Sequence, residues 1–94
     1  EYTKIIATLP TSGTSKNIEI GWEHSDAHIM SYRVQNTNNA WLSGVGESSV
    51  IAGDWGIKVR LIGQTMTIWN GLAGINGNTI EVIIKNNVFE TKEF

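Results

Sequence analysis

The chain has 94 residues, no cysteine and a formal net charge of −2 from seven basic and nine acidic residues. This length suits one small domain, and the lack of cysteine excludes a disulfide framework and a thiolate metal site. The cations are scattered and form no basic stripe for phosphate contacts, so nucleic acid is not an expected partner. No apolar run reaches the length of a membrane span, so no membrane contact is expected.

The first half of the chain contains short β-type runs between clusters of Gly, Asn, Ser and Thr. Strands are predicted from Tyr2 to Leu9, from Asn17 to Glu23 and from His28 to Gln35. Alternate side chains of a strand point to one face, which identifies those expected to face the core. These inward side chains are Ile5, Ala7, Leu9, Ile18, Ile20, Trp22, Met30, Tyr32 and Val34.

Residues 57–69 read as a β-hairpin around the two-residue turn Gly63-Gln64. Glycine at the first turn position suits the type II′ geometry that matches the twist of paired strands. This turn predicts a register in which Lys58 lies opposite Trp69, with Arg60 on the same face. The hairpin would therefore have one apolar face and one face that carries a tryptophan beside two cations.

Further strands are expected on both sides of the hairpin. A short run at Ala40 to Leu42 and a brief strand at Val50 to Ala52 precede it. Thr79 to Lys85 is a nearly continuous apolar strand after a glycine-rich loop, and Val88-Phe89 reads as a last strand remnant before a charged tail. Ile83 lies on the outward face of its strand, which indicates that this face is partly covered, for example by a neighbouring subunit.

Together these elements predict an all-β fold. We expect a single antiparallel β-sandwich, jelly-roll-like, with roughly seven or eight short strands. No stretch shows convincing helical periodicity, and no linker divides residues 1–94, so one domain is predicted. Because the chain begins at Glu1 and not at methionine, it is expected to be part of a longer protein.

Tryptophan is the residue type that points most directly to a function. Trp41 follows an Asn-rich turn, Trp55 lies in a Gly-Asp-Trp-Gly turn, and Trp69 takes the outward face of the hairpin. Indole rings on loops and open sheet faces stack on sugar rings, while nearby polar groups bond the hydroxyls. The predicted carbohydrate-binding residues are Trp41, Asp54, Trp55, Lys58, Arg60 and Trp69.

Each of these tryptophans also has a structural interpretation. Trp55 would pin its turn against the core, and Trp41 would close one end of the sandwich. Trp69 would form a cation–π contact with Lys58 across the hairpin or lie in a subunit interface, where tryptophan is enriched.

The segment from Glu23 to His28 contains two histidines and two carboxylates. His24 and His28 could ligate a divalent metal together with Glu23 and Asp26. The segment reads as a turn between strands and not as a helix, so the spacing does not bring both imidazoles to one face. A solvated turn in which Asp26 bonds its own backbone is the alternative, and no metal is included in the predicted site.

No pattern in the chain indicates catalysis. Residues 44–48 form neither a Gly-x-Ser-x-Gly elbow nor a phosphate-binding loop. Carboxylate pairs such as Glu23 with Asp26, or Glu47 with Asp54, could act in glycoside hydrolysis, but nothing places either pair across a cleft. The domain is therefore predicted to be non-enzymatic and to need no cofactor.

The chain as a whole resembles the small C-terminal β-domains of trimeric bacteriophage tail fibres and tailspikes. The resemblance lies in the polar turns, the outward aromatics and phrases such as Ile20-Gly21-Trp22, Ser31-Tyr32-Arg33-Val34 and Ile57-Lys58-Val59-Arg60-Leu61. It implies a homotrimeric tip on a fibre, on a virion or otherwise extracellular, that binds a bacterial surface glycan or another polysaccharide. It assigns no role to any single residue.

The predicted function is thus a non-catalytic carbohydrate-binding and adhesion tip, in which Lys58 and Arg60 beside Trp69 would favour acidic sugars. Two alternatives remain open: an autonomous carbohydrate-binding module of a larger enzyme, and a purely structural trimerisation domain. Accessible indoles would favour binding, whereas indoles buried between subunits would favour the structural role.

Overall fold

The computed structural model describes residues 1–36, 40–45 and 56–94. Within these ranges eight strands form two sheets that pack against each other, so the predicted β-sandwich is confirmed. The strands are β1 (Tyr2–Thr8), β2 (Thr14–Glu19), β3 (His28–Gln35), β4 (Trp41–Val45), β5 (Ile57–Ile62), β6 (Thr65–Asn70), β7 (Thr79–Lys85) and β8 (Glu90–Glu93). The only helices in this part of the chain are the single 3₁₀ turns Trp22–His24 and Ala73–Ile75, and neither has the length or apolar content to cross a membrane.

One sheet has five strands in the order β4-β3-β7-β1-β8, and the other has three in the order β2-β6-β5. All neighbours are antiparallel except β1 and β8, which are parallel. This pair departs from the fully antiparallel sandwich that the sequence predicted. It arises because residues 86–89 carry the chain from β7 past β1 and reverse it, so β8 runs in the direction of β1.

The core lies between the inner faces of the two sheets. In β7 every second residue is buried, and β5 and β6 show the same alternation on their inner face. Branched side chains suit this pleated, tightly packed environment. Its fully buried apolar members are Ile5, Ile20, Val34, Val59, Met66, Ile68, Ile80, Val82 and Ile84.

The predicted hairpin is confirmed in every pair. The structure pairs Ile62 with Thr65, Arg60 with Thr67 and Lys58 with Trp69. Gly63 has φ +59°, the positive value that the first position of such a turn requires. The local sequence is sufficient here because the turn sets the register and alternation sets the face.

The prediction that Trp22 faces the core is wrong. Strand β2 ends at Glu19, and Gly21 has φ +100°, so the alternation of the strand is interrupted before it reaches Trp22. The chain then forms the 3₁₀ turn Trp22–His24, in which His24 is fully buried and Trp22 is 74% exposed. The alternation of inward and outward side chains does not continue through a glycine in this conformation, so His24 and not Trp22 is buried.

Two smaller expectations also need correction. Met30 is exposed and Ile29 buried because the pairing of β3 with β7 shifts between Ile29 and Ser31, as in a β-bulge. The last strand is Glu90–Glu93 and not Val88-Phe89, and the predicted charged tail is therefore part of the sheet. The strand predicted at Val50 to Ala52 lies outside the described residues.

Candidate functional site

Trp22 is the most exposed of the three tryptophans that the structure describes. It borders an open cleft of about 360 Å³ at one end of the five-stranded sheet. Apart from Trp22, the cleft is lined by polar or charged residues. Besides Glu23 these are Ser25, Asp26, His28, Lys85, Asn86 and Asn87.

Three pieces of chain build this cleft. The 3₁₀ turn and the residues after it supply Trp22 and Asp26, the start of β3 supplies His28, and the end of β7 supplies Lys85. His28 and Lys85 are register partners in the sheet, so their separation is fixed by the ladder of backbone hydrogen bonds. A rigid sheet end therefore forms one wall, and the short helical turn with its indole forms the other.

Gly21 makes the turn into this wall possible. Its φ of +100° is a conformation that residues with a side chain rarely adopt. A Cβ at this position would also lie 2.6 Å from Oε2 of Glu23. The Glu23 carboxylate is the end of a flexible side chain that can move aside, so the backbone conformation is the constraint that favours glycine directly before the exposed tryptophan.

His24 lies beneath the cleft with none of its side chain exposed, and both ring nitrogens are bonded. Nε2 lies 2.7 Å from Oε1 of Glu90, and Nδ1 contacts the side-chain amide of Asn86. The Asn86 oxygen accepts a hydrogen bond from the Val88 N–H at 3.0 Å, which leaves its nitrogen to donate to Nδ1. This arrangement assigns the ring proton to Nε2, which donates to the Glu90 carboxylate.

The same network fixes Asn86, a residue that lines the cleft. Its amide nitrogen also donates to the backbone oxygen of Glu23 at 3.3 Å. Asn86 is thus joined to the 3₁₀ turn through two contacts and to its own loop through a third. A side chain held in this way loses little conformational entropy when a ligand binds beside it.

Glu23 is held by Lys92 of β8. The Lys92 ammonium lies 2.6 Å from Oε1 of Glu23 and donates a second hydrogen bond to the Ile20 backbone oxygen at 2.9 Å. The hydrogen bond from Lys92 lowers the pKa of Glu23 from the ordinary value of 4.5, and a bond from its own backbone adds to this effect. Glu23 is therefore a carboxylate at neutral pH.

The two histidines considered as metal ligands, His24 and His28, do not act together in this arrangement. His24 is buried against Glu90, whereas His28 is exposed in the cleft at the start of β3. One ligand atom each from Glu23, His24 and Glu90 lies within 4.8 Å of the others. Lys92 already binds this Glu23 oxygen and Glu90 already accepts from His24, so the cluster is satisfied internally as an ion-pair network.

Three of the predicted ligand-binding residues lie away from this cleft. Lys58, Arg60 and Trp69 share the outer face of the three-stranded sheet, where Lys58 lies opposite Trp69. Trp69 is partly buried, and its buried Nε1 has no hydrogen-bond partner in the described part of the chain. This indole therefore presents less free surface than Trp22.

Trp41 begins β4 at the edge of the five-stranded sheet and is partly buried. The Arg33 guanidinium covers its ring at 3.8 Å from the centroid, a cation–π contact that the sequence did not predict. Asp54 and Trp55, the remaining two predicted ligand residues, lie outside the described residues.

The sequence carried a usable signal for the Trp22 cleft. A glycine directly before Trp22 indicates a break in the strand, and the following Glu, His, Ser and Asp residues indicate a polar loop. Read together, these features place a tryptophan at the start of a polar turn, the same context that singled out Trp55.

The cleft is suited to binding a polyhydroxylated ligand. The indole offers an apolar surface for C–H groups, while hydroxyl, amide and carboxylate groups around it can donate to and accept from ligand hydroxyls. Comparison with protein-family models, curated proteins and solved structures gives no significant match. The chemistry of the cleft is therefore the basis for a functional assignment.

Proposed function

We propose that this domain binds carbohydrate without catalysis, with the Trp22 indole as the platform on which a sugar ring stacks. The supporting observation is the 74% exposure of a tryptophan inside a polar cleft. Tryptophan is usually largely buried, so a single indole exposed among hydrogen-bonding side chains is informative. A sugar ring, which has an apolar face and a polar rim, complements both parts of this cleft.

The state of Glu23 argues against a role for this residue as the general acid of glycoside hydrolysis. Hydrolysis needs a protonated carboxylic acid to donate to the leaving oxygen. Lys92 stabilises the charged form of Glu23 and lowers its pKa, which is the opposite of what a general acid requires. Glu23 instead suits acceptance of a hydrogen bond from a ligand hydroxyl.

The wider setting is proposed from the sequence resemblance. We propose a homotrimeric adhesion tip of a tail fibre that recognises a bacterial surface glycan. An autonomous carbohydrate-binding module of a larger enzyme would use the Trp22 cleft in the same way.

The first test is binding of the purified domain to an array of bacterial-surface and plant glycans. Trp22→Ala is expected to weaken binding at least about tenfold, because the stacking surface is lost. Phe89→Ala is the matched control, since Phe89 is 79% exposed and does not line the cleft. Binding of no glycan by the unaltered domain, or equal binding by Trp22→Ala, would overturn the proposal.

A further inference from the structure

A second open groove, of about 330 Å³, lies on the outer face of the five-stranded sheet. It is formed by strands β1, β3, β4 and β7, and its walls carry both charged and hydroxyl side chains. Its lining residues include Lys4, Ser31, Arg33, Ser43, Glu81 and Ile83. Ile83, which the sequence placed on the outward face, lies among these polar groups.

This groove continues the Trp22 cleft along one face of the sheet. The outward register pairs of β3 and β7 follow in the order His28 with Lys85, Ser31 with Ile83, and Arg33 with Glu81. The first pair lines the cleft and the other two line the groove. These three pairs cover about 14 Å of strand at ~3.4 Å per residue, and Trp22 extends the surface beyond the first pair.

The far end of this face is held rigid by Arg33. Its Nε and Nη2 lie 3.0 Å and 2.9 Å from the same Glu81 oxygen, while its guanidinium stacks on Trp41. Lys4 approaches that oxygen as well, at 3.8 Å. The single negative charge of Glu81 thus interacts with two cations, Lys4 and Arg33. Part of their positive charge is therefore not neutralised and is available to a ligand.

Among the residues that line the groove and the cleft, the cations outnumber the carboxylates that Lys92 does not neutralise, although the chain as a whole has a net charge of −2 and the exposed Glu93 lies on the same sheet outside both. Lys4, Arg33 and Lys85 face the groove and cleft against Glu81 and Asp26, while Glu23 is neutralised by Lys92. An anionic ligand that extends from Trp22 towards Arg33 complements this distribution. A neutral ligand of one ring would leave the groove unused.

We infer that this face binds an acidic oligosaccharide chain of several rings. One ring stacks on Trp22, and the carboxylates of successive rings lie along Lys85, Lys4 and Arg33. The inference rests on the proposed function and adds to it the class of ligand and the direction in which the ligand lies. The cations that would bind the acidic sugars are then Lys4, Arg33 and Lys85 of the five-stranded sheet, and not Lys58 and Arg60 of the three-stranded sheet.

Isothermal titration of the purified domain tests this with defined probes. The acidic probes are oligogalacturonate, oligomannuronate and α2,8-oligosialic acid, each with two and with six units, and the neutral probes are maltohexaose and cellohexaose. For at least one acidic series we expect the six-unit chain to bind about tenfold more tightly than the two-unit chain, since additional units contact further parts of the face. Both neutral chains should bind more weakly than that acidic six-unit chain.

A pair of double variants separates this face from the one predicted from the sequence. Lys4→Gln with Lys85→Gln should weaken binding of the acidic six-unit chain by about three- to tenfold, the usual effect of two exposed charges. Lys58→Gln with Arg60→Gln removes the same charge from the other sheet and should leave binding unchanged.

The outcomes distinguish the two proposals. Binding of a neutral glycan that depends on Trp22, without a gain from acidic groups or from length, would overturn the inference and leave the proposed function standing. If neither the glycans on the array nor the titration probes bind the domain, both the inference and the proposed function are overturned. A change of molar mass caused by Lys4→Gln with Lys85→Gln would assign the face to a second copy of the chain and would also overturn the inference.

Discussion

His24 shows how a single buried residue shapes the candidate site. Its ring joins three separate parts of the chain: the 3₁₀ turn, Asn86 after β7, and Glu90 of β8. A buried imidazole with both nitrogens bonded contributes to stability, whereas loss of either partner leaves a polar group unsatisfied. The same contacts hold Asn86 in place beside Trp22, so local stability and the geometry of the cleft depend on one side chain.

We therefore expect His24→Leu to destabilise the domain by about 2–3 kcal/mol, because a buried hydrogen bond to a charged group is lost and Glu90 is left without its partner. His28→Leu is the matched control, since His28 is exposed, and its effect should stay within about 0.5 kcal/mol. Urea unfolding followed by tryptophan fluorescence measures both values. Equal losses for the two variants would show that the His24 network does not stabilise the fold.

Trp22 was predicted to be buried and is exposed, whereas His24 is buried, and this difference shows what the sequence cannot predict about single residues. Alternation correctly placed Ile18 and Ile20 in the core, but it assumed that the backbone stays extended through Gly21. Burial of His24 depends on Glu90, which lies 66 residues away in the sequence. A partner at that distance leaves no trace in the local pattern, so the more hydrophobic tryptophan was assigned to the core.

At the scale of elements, the sequence correctly predicted the strands that depend on local interactions and missed the strand that depends on a distant partner. The β5–β6 hairpin and the bounds of β3 and β7 agree with the prediction, because each depends on alternation and on adjacent turns. Strand β8 was missed because its partner is β1 at the other end of the chain. Its charged residues are typical of a solvated tail, and the sequence gives no sign that Lys92 binds Glu23 and Glu90 binds His24, both in the 3₁₀ turn.

The entrance to strand β5 offers a test of close packing between elements. Gly56 and Gly13 both have positive φ, +86° and +82°. A Cβ at Gly56 would lie 2.6 Å from Cγ of Leu72, whereas at Gly13 nothing lies within 4 Å. Gly13→Ala should cost about 1 kcal/mol of stability from the backbone conformation alone, and Gly56→Ala about 3 kcal/mol because Leu72, packed on the core, must also move.

Thermal and urea unfolding of the two variants measure this difference directly. Because both substitutions add the same methyl group at a similar backbone angle, the excess loss in Gly56→Ala reports the contact with Leu72. Equal losses would contradict the packing of the loop after β6 against the start of β5.

At the scale of the whole molecule, the sandwich presents two outer faces of different character. The three-stranded sheet carries the predicted residues Lys58 and Arg60 on its outer face, and the five-stranded sheet carries the groove that leads to Trp22. Ile62, at the end of β5 in the three-stranded sheet, is 63% exposed and lines neither the cleft nor the groove. Apolar side chains exposed outside the proposed binding surface are available for contact with other subunits.

The predicted homotrimer can be tested together with the accessibility of the cleft. Light scattering is expected to give three times the chain mass of 10.4 kDa, because a domain of this size gains buried apolar surface by association. Within that trimer, acrylamide should still quench Trp22 fluorescence, since a carbohydrate site must remain open. The difference in quenching between the unaltered domain and Trp22→Phe gives the contribution of this indole alone. A monomer would contradict the fibre tip and favour an autonomous carbohydrate-binding module. A trimer in which Trp22 is shielded would instead assign the indole to the subunit interface, and the purely structural role would then replace carbohydrate binding.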